Sequence, residues 1–412
     1  MLYKIKRSDI MKKRDLYLDK LIKFKDKQFI KVITGIRRCG KSTLLKLFRE
    51  YLLENNVAES QIIYINFESI QFDDIKDYKL LYEYIKEHLV AKSKTYLLLD
   101  EIQEVIHWEK AVNSFLVDFN VDIYITGSNA WLLSSELSTL LSGRYVEIKM
   151  LPLSFKEYIE FVEEPSNNIE EDFQLYLRYG GLPPIIELNN NLDMIQPFLS
   201  GIYNTVLMKD IVQRNTVRDA ALLDNLVHFW ADNIGNSIST KKISDYLTSA
   251  GRKTTPATID NYLQMLEKAF IFYKASRYDI KGKLYLKTQE KYYIVDTGIR
   301  NNLLGLRNMD YGHILENVVY LELLRRGFDV YIGKIGNMEV DFIATKTNKK
   351  VYYQVSASIL DEKTKERELR SLMSIPDQYD KILLTMDKPY VEDFDGIKWI
   401  NIINFLLTDT FY

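Results

Sequence analysis

Cysteine is almost absent. Cys39 is the single one in 412 residues, which excludes an intramolecular disulfide framework and a cysteine-rich zinc site, and suits a reducing cytosol. A surplus of one charge is lacking too. Lysine and arginine number 55 against 57 acidic residues, a net charge of −2, so no whole-chain field draws the protein to nucleic acid. Long hydrophobic runs are also missing. Stretches such as Trp399 to Leu407 are too short and broken to cross a bilayer. The opening residues, Met1 to Asp9, lack the apolar core and cleavage site of a secretory signal. These absences predict a cytoplasmic protein with no membrane partner. What is present, 47% hydrophobic and 27% charged residues over 412, suffices for two or three globular domains.

The most informative stretch is Gly35-Ile36-Arg37-Arg38-Cys39-Gly40-Lys41-Ser42, followed by Thr43. It fits the G-x-x-x-x-G-K-[ST] spacing of a phosphate-binding loop, in which glycines let successive N–H groups turn toward phosphate oxygens. The apolar, β-branched run Phe29 to Thr34 predicts a strand before it. Leu44, Leu45, Leu47, Phe48, Leu52 and Leu53 predict a helix after it, whose N-terminus adds a positive dipole end. In this setting Lys41 reaches the terminal phosphates and Ser42 offers its hydroxyl to Mg2+.

Thr95 to Glu101 is an apolar run closed by two carboxylates. A buried strand that ends so delivers Asp100 to the metal and Glu101 to the attacking water as general base. The strand Val121 to Thr126 runs into Gly127-Ser128-Asn129, where Asn129, with Ser128 next in line, is placed to sense the terminal phosphate. Arg144, before a fifth strand, is a candidate charged finger for the transition state, in its own subunit or a neighbour's; a surface salt bridge is the plain alternative.

Alternating strands and helices over 1–150 predict a parallel sheet covered on both faces. Helical patterns over 151–230 predict a lid or connector. In 231–309, a helix over Lys241 to Thr248, a second opened by Thr255-Pro256, and a hairpin over Tyr278 to Tyr285 describe a winged helix. Between Lys241 and Lys291, 11 basic residues stand against 5 acidic ones, a local excess that suits a phosphate-backbone contact. Thr258, Asn261 and Gln264 would face base edges. Such modules also serve for protein docking and as ATPase lids.

From 310 to 412 the pattern changes again. A helix over Gly312 to Gly327 carries Glu316; strands follow with Glu339 and Asp341, then Gln354 and Ser356. Glu316, Asp341 and Gln354 stand where a metal-dependent nuclease would carry its ligands, but Ser356 cannot do the work of a lysine. Lys349 and Lys350 are the nearby substitutes.

Taken together, Gly35 to Ser42, Leu99-Asp100-Glu101-Ile102-Gln103, Thr126 to Asn129, Leu141 to Arg144, Leu151 to Phe155 and Tyr179 to Pro183 resemble a large family of prokaryotic AAA-type ATPases. Lys291 to Arg300, Leu315 to Val318, Glu339 to Ile343 and Glu366 to Leu369 resemble that family's carboxy-terminal portion. The resemblance implies an α/β chain: a P-loop parallel sheet flanked by helices, a helical and winged-helix part, and a small α/β restriction-endonuclease-like domain. It implies ATP and Mg2+ as cofactors, held by Lys41, Ser42, Asp100 and Glu101. An active endonuclease of this fold carries Glu or Gln followed two residues on by Lys, so Ser356 predicts a domain without cleavage. The expected activity is ATP hydrolysis coupled to a change on DNA. An ATP-dependent nuclease and a nucleotide-gated switch for a protein partner are the rivals, and a homo-oligomer is compatible with all three.

Overall fold

The computed structural model describes residues 12–128, 141, 143–213, 217–237, 239–305 and 311–409, with the backbone alone for 287–289. It divides into two compact units, Met1–Met150 and Leu151–Tyr412.

In the first unit, helix α1 (Asp15–Lys23) precedes strand β1 (Ile30–Thr34), whose five residues are all buried. Helix α2 (Lys41–Glu54), β2 (Ile62–Asn66), α3 (Tyr78–His88), β3 (Thr95–Asp100), α4 (Trp108–Asp118), β4 (Val121–Gly127) and β5 (Tyr145–Lys149) follow. The strands form one parallel sheet in the order β2-β3-β4-β1-β5. Because helices cover both faces, β1 and β3 are apolar almost throughout rather than alternating. Ile30, Val32, Leu97, Leu99, Ile123 and Ile125 pack with Leu81 and Ile85 of α3 and with Val112 and Phe115 of α4. Phe48 of α2 packs against Tyr124 with ring centroids 4.4 Å apart. The exception to the apolar rule is Lys31, fully buried in β1, whose ammonium pairs with Asp122 of β4. All strands point the same way, so the C-terminal ends of β1, β3 and β4 share one edge.

The second unit opens with helices α5 (Phe155–Phe161), α6 (Ile169–Tyr179), α7 (Leu192–Thr205) and α8 (Ala220–Asp232). Next come α9 (Thr240–Ser249), α10 (Pro256–Lys268), β6 (Phe272–Asp279) and β7 (Leu284–Ile294). Thr255 caps α10 by accepting the amide of Thr258 at 3.2 Å. The chain continues through α11 (Thr297–Leu304), α12 (Tyr311–Arg325), β8 (Asp329–Ile335), β9 (Met338–Lys346), β10 (Lys349–Ser356), α13 (Glu362–Met373), β11 (Asp380–Thr385), β12 (Asp393–Phe394), β13 (Ile397–Asn401) and α14 (Ile402–Leu407).

The hairpin differs from the short one expected at Tyr278–Tyr285. Its strands are longer, and β6 pairs in parallel with β8, so β6 and β7 form one side of an eight-stranded sheet, β12-β13-β11-β10-β9-β8-β6-β7. The cause is apolar surface. Phe272, Tyr273, Tyr293 and Ile294 are all buried, which a free-standing wing could not achieve.

Asp296 ties this unit together. It caps α11 through the amide of Ile299 at 3.1 Å and accepts the amide of Gly181 at 2.7 Å. Gly180, at φ +84°, leaves room for that carboxylate; a Cβ there would stand 2.1 Å from its Oδ1. Thus Tyr179-Gly180-Gly181 and Asp296-Thr297-Gly298, far apart in sequence, are two halves of one contact. Burial pushes the Asp296 carboxyl up to about 6, against the backbone amides that favour its charge.

Candidate functional site

The loop after β1 has the shape its spacing predicts. Gly35 and Gly40 take φ of +147° and +104°, and Arg38 is also left-handed at +65°. Alternation of this kind makes a concave run of amides, a nest for an anion, at the start of α2. No side chain fits at Gly35, where a Cβ would lie 2.2 Å from the carbonyl oxygen of Met150.

Lys41 is 4% exposed, and its ammonium bonds the carbonyls of Gly35 at 2.9 Å and Ile36 at 3.1 Å. Glu101 Oε1 is 4.0 Å from the same ammonium. Ser42 donates to Asp100, while Thr43 faces outward. Arg37 pairs with Glu68 at 3.3 Å. Ile36 and Cys39 are buried, and burial raises the Cys39 thiol above its ordinary value, which makes it packing rather than a nucleophile.

The acids arrive from β3. Asp100 is fully buried, and burial pushes its carboxyl up while hydroxyls of Thr126, Ser42 and Tyr64 pull it back toward the charged form. Thr126 Oγ1 donates to Asp100 Oδ1 at 2.5 Å, and Tyr64 reaches Oδ2 at 3.2 Å. Glu101 follows in the left-handed region, φ +55°, its side chain accepting from Gln103 Nε2. That backbone turn swings the second acid off the strand line and toward Lys41.

The structure therefore brings together Gly35 to Ser42, after β1, with Asp100 and Glu101, at the end of β3, on the same edge of the sheet with β4 between them. The donor set suits a nucleotide with its metal: glycine-lined amides and an ammonium for phosphate, a hydroxyl and a carboxylate for Mg2+. Ser128, 1% exposed, has a hydroxyl without a hydrogen-bond partner among the described residues, at the same edge. Asn129 lies outside the described residues.

Arg144 requires a correction as a finger within its own chain. Its carbonyl accepts the amide of Ile30, the first residue of β1, so it stands at the opposite edge of the sheet. Five strand residues at about 3.3 Å each separate it from the loop, more than an arginine spans.

Four contacts escaped the sequence reading. Thr126 sits in parallel register beside Asp100, one step beyond the pair Leu99 and Ile125, and its only sequence signal was its place at the end of an apolar strand. Tyr64, Gln103 and Arg14 carried none. Arg14, 4% exposed, donates to the carbonyl of Cys39 at 3.0 Å and steadies the loop from α1's start.

In the second unit, Asp341 and Gln354 are neighbours: Gln354 Oε1 accepts the amide of Asp341 at 3.3 Å, and Asp341 Oδ2 accepts the amide of Val355 at 2.8 Å. Glu316 of α12 is buried close enough to help raise Asp341 well above its ordinary range, after burial itself. Ser356 turns away to the carbonyl of Ser358 at 3.1 Å, and Lys350 goes to Asp377 at 3.3 Å, so Lys350 does not join the group. Among the described residues, no three histidine, cysteine or acidic groups are placed to hold a metal ion.

The basic excess of 241–291 shrinks in three dimensions. Arg252 pairs with Asp219, Lys274 with Glu290, Arg277 with Glu339 and Lys291 with Glu316. Lys241, Lys242, Lys253, Lys281 and Lys283 remain exposed, as do Asn261 and Gln264; Thr258 is half-buried.

A glycine-lined loop between a central parallel strand and a helix, with paired acids on the next strand but one, defines a P-loop NTPase fold of AAA type. Comparison with known proteins agrees. Residues 27–159 match the AAA domain family, and residues 170–310 match a domain of unknown function (DUF8612). An uncharacterized protein of Haemophilus influenzae is 45% identical over 97% of this chain and 100% of its own length. The uncharacterized protein MJ1544 of Methanocaldococcus jannaschii is 34% identical, over 83% of this chain and 77% of its own. The chain belongs to the family of these proteins, built on an AAA domain. Among solved structures, the Walker-type ATPase PABY2304 of Pyrococcus abyssi shares the fold, with a TM-score of 0.52 and 18% identity, covering 72% of this chain and 97% of that one. No helix among the described residues is long and apolar enough to cross a membrane.

Proposed function

We propose that this protein binds ATP with Mg2+ at the loop Gly35 to Thr43, hydrolyses it, and couples nucleotide state to a DNA contact made by the second unit. The observation that carries the proposal is the convergence of Lys41, Ser42, Asp100 and Glu101 at one edge of the parallel sheet, from β1 and β3 on either side of β4. Lys41 binds the terminal phosphates. Ser42 and Asp100 hold the metal, which supplies charge neutralisation when bound. Glu101 takes the proton of the attacking water, and a neutral group after β4, Asn129 or Ser128, senses the phosphate. Arg144 acts only toward a neighbouring copy, if the protein assembles.

For the DNA contact, the support is the set of exposed lysines at α9 and the β6–β7 turn, with Asn261 and Gln264 on the outer side of α10. The strands and helices from 311 to 409 read as a restriction-endonuclease-like domain that does not cleave. The deciding experiment is ATP turnover measured with and without single- and double-stranded DNA. Stimulation supports the coupling; turnover indifferent to DNA shifts the reading to a protein partner. Turnover at the wild-type rate in Glu101→Gln would refute the assigned base.

A further inference from the structure

A network of charged and hydrogen-bonding groups of the second unit is built around Lys291. Lys291 stands on β7 and is 5% exposed; its ammonium lies 2.7 Å from Glu339 Oε1 and 3.1 Å from Glu316 Oε1. Glu316 also accepts the hydroxyl of Tyr293 at 2.5 Å and faces His313 Nδ1 at 3.7 Å. Glu339 Oε2 is 3.9 Å from Arg277. Gln354 Nε2 donates to Glu368 at 2.8 Å, and Glu368 is paired with Arg367 at 2.6 Å.

A buried carboxylate left unpaired loses its hydration with nothing in return, so it needs positive charge nearby. The positive charge comes from a bound metal or from the chain. Here the chain supplies it: Lys291 and Arg277 face Glu316 and Glu339, two cations against two anions, and Arg367 answers Glu368. Burial together with Glu316 disfavours a charge on Asp341.

We infer that the Lys291 ammonium is the resident cation of this cluster, seated between Glu316 and Glu339 where a divalent ion would otherwise be drawn. The cluster is thereby a metal-independent brace that fixes β7 to α12 and β9. This rests on the restriction-endonuclease-like reading of 311–409 and says how that domain is used: as a closed, non-cutting support for the β6–β7 turn that carries Lys281 and Lys283. Two further bonds share the work, for the amide of Ile294 donates to Asn317 Oδ1 at 2.8 Å and Asn317 Nδ2 returns to the carbonyl of Ile294 at 2.9 Å.

The test uses the full chain without nucleotide, comparing wild type, Glu316→Gln, Lys291→Met, and the double variant Lys291→Met with Glu316→Gln. Thermal unfolding is followed with and without millimolar Mn2+, and plasmid nicking is assayed in parallel. The wild type should show no nicking, and the same Mn2+ response as Glu316→Gln alone. Lys291→Met should melt lower, and Mn2+ should recover part of the loss only while Glu316 is present. Mn2+-dependent nicking by the wild type, abolished by Asp341→Asn, would overturn the inference and uphold a nuclease. A folded Lys291→Met that gains nothing from Mn2+ would overturn the inference and leave the restriction-endonuclease-like reading standing. Should Lys291→Met not fold, the wild-type nicking assay and the comparison of wild type with Glu316→Gln still decide.

Discussion

Thr126 holds Asp100 by a 2.5 Å hydrogen bond, and the same hydroxyl oxygen accepts the amide of Glu101 at 2.9 Å. One side chain on β4 thus positions both acids delivered by β3. Thr126→Val keeps the shape but removes both bonds, leaving a buried amide unsatisfied at a cost of about 1–3 kcal/mol. The expected outcome is a drop in ATP turnover of about tenfold or more with a much smaller change in nucleotide affinity. Thr126→Ser should restore most of the rate. Steady-state kinetics with a binding titration check this, and an unchanged kcat in Thr126→Val would remove the positioning role.

Lys41→Ala should abolish nucleotide binding, because the loop would keep its amides but lose the buried ammonium bonded to its carbonyls. Glu101→Gln should still bind ATP while turning over roughly 100-fold more slowly or worse, the usual worth of a general base. Fluorescent-nucleotide binding and phosphate release separate the two variants.

Gly180→Ala should be strongly destabilising, by roughly 3 kcal/mol or more, since it combines a left-handed backbone with a clash against Asp296. Thermal unfolding of the full chain reads this directly. A melting curve indistinguishable from wild type would mean that the Asp296 contact is not formed as described.

Asp296 also predicts a pH dependence. Its carboxyl is near 6 in the folded chain against an ordinary 3.8, so the folded state holds the proton more tightly. The stability this group contributes is complete below about pH 4 and is lost as pH rises through 6, a change of about 3 kcal/mol. The difference between wild-type and Asp296→Asn unfolding curves across pH 4 to 7 isolates it from other groups. A pH-independent difference would contradict the assignment.

Lys281→Ala and Lys283→Ala should weaken duplex DNA binding without regard to sequence. Each lost phosphate contact lowers the salt dependence of the affinity by about 0.9 in log–log slope. Titrations at several salt concentrations measure it. Substitution of Lys291 cannot serve the same purpose, since that lysine is buried in ion pairs.

Local pattern made the nucleotide loop legible, because strand, glycine turn and helix are contiguous and each has its own period. The acids at Asp100 and Glu101 were legible for the same reason, as the end of a run that only a buried strand tolerates. The α10 cap at Thr255 followed from adjacent residues alone. Lys291 and Arg144 were not legible. Counting Lys291 as free positive charge ignored the acids that folding brings beside it. Placing Arg144 near a strand left open which edge of the sheet that strand start would occupy.

Sequence alone determined that this chain has a phosphate-binding loop with its acids, since those features are written in consecutive residues and their backbone demands. Tertiary structure decided which groups share a charge or a hydroxyl across strands: Thr126 with both acids, Asp296 with Gly181, Lys291 with Glu316 and Glu339. The physical reason is that Coulomb and hydrogen-bond energies depend on distance in space. Residues tens of positions apart acquire that distance only when sheet order and register are set.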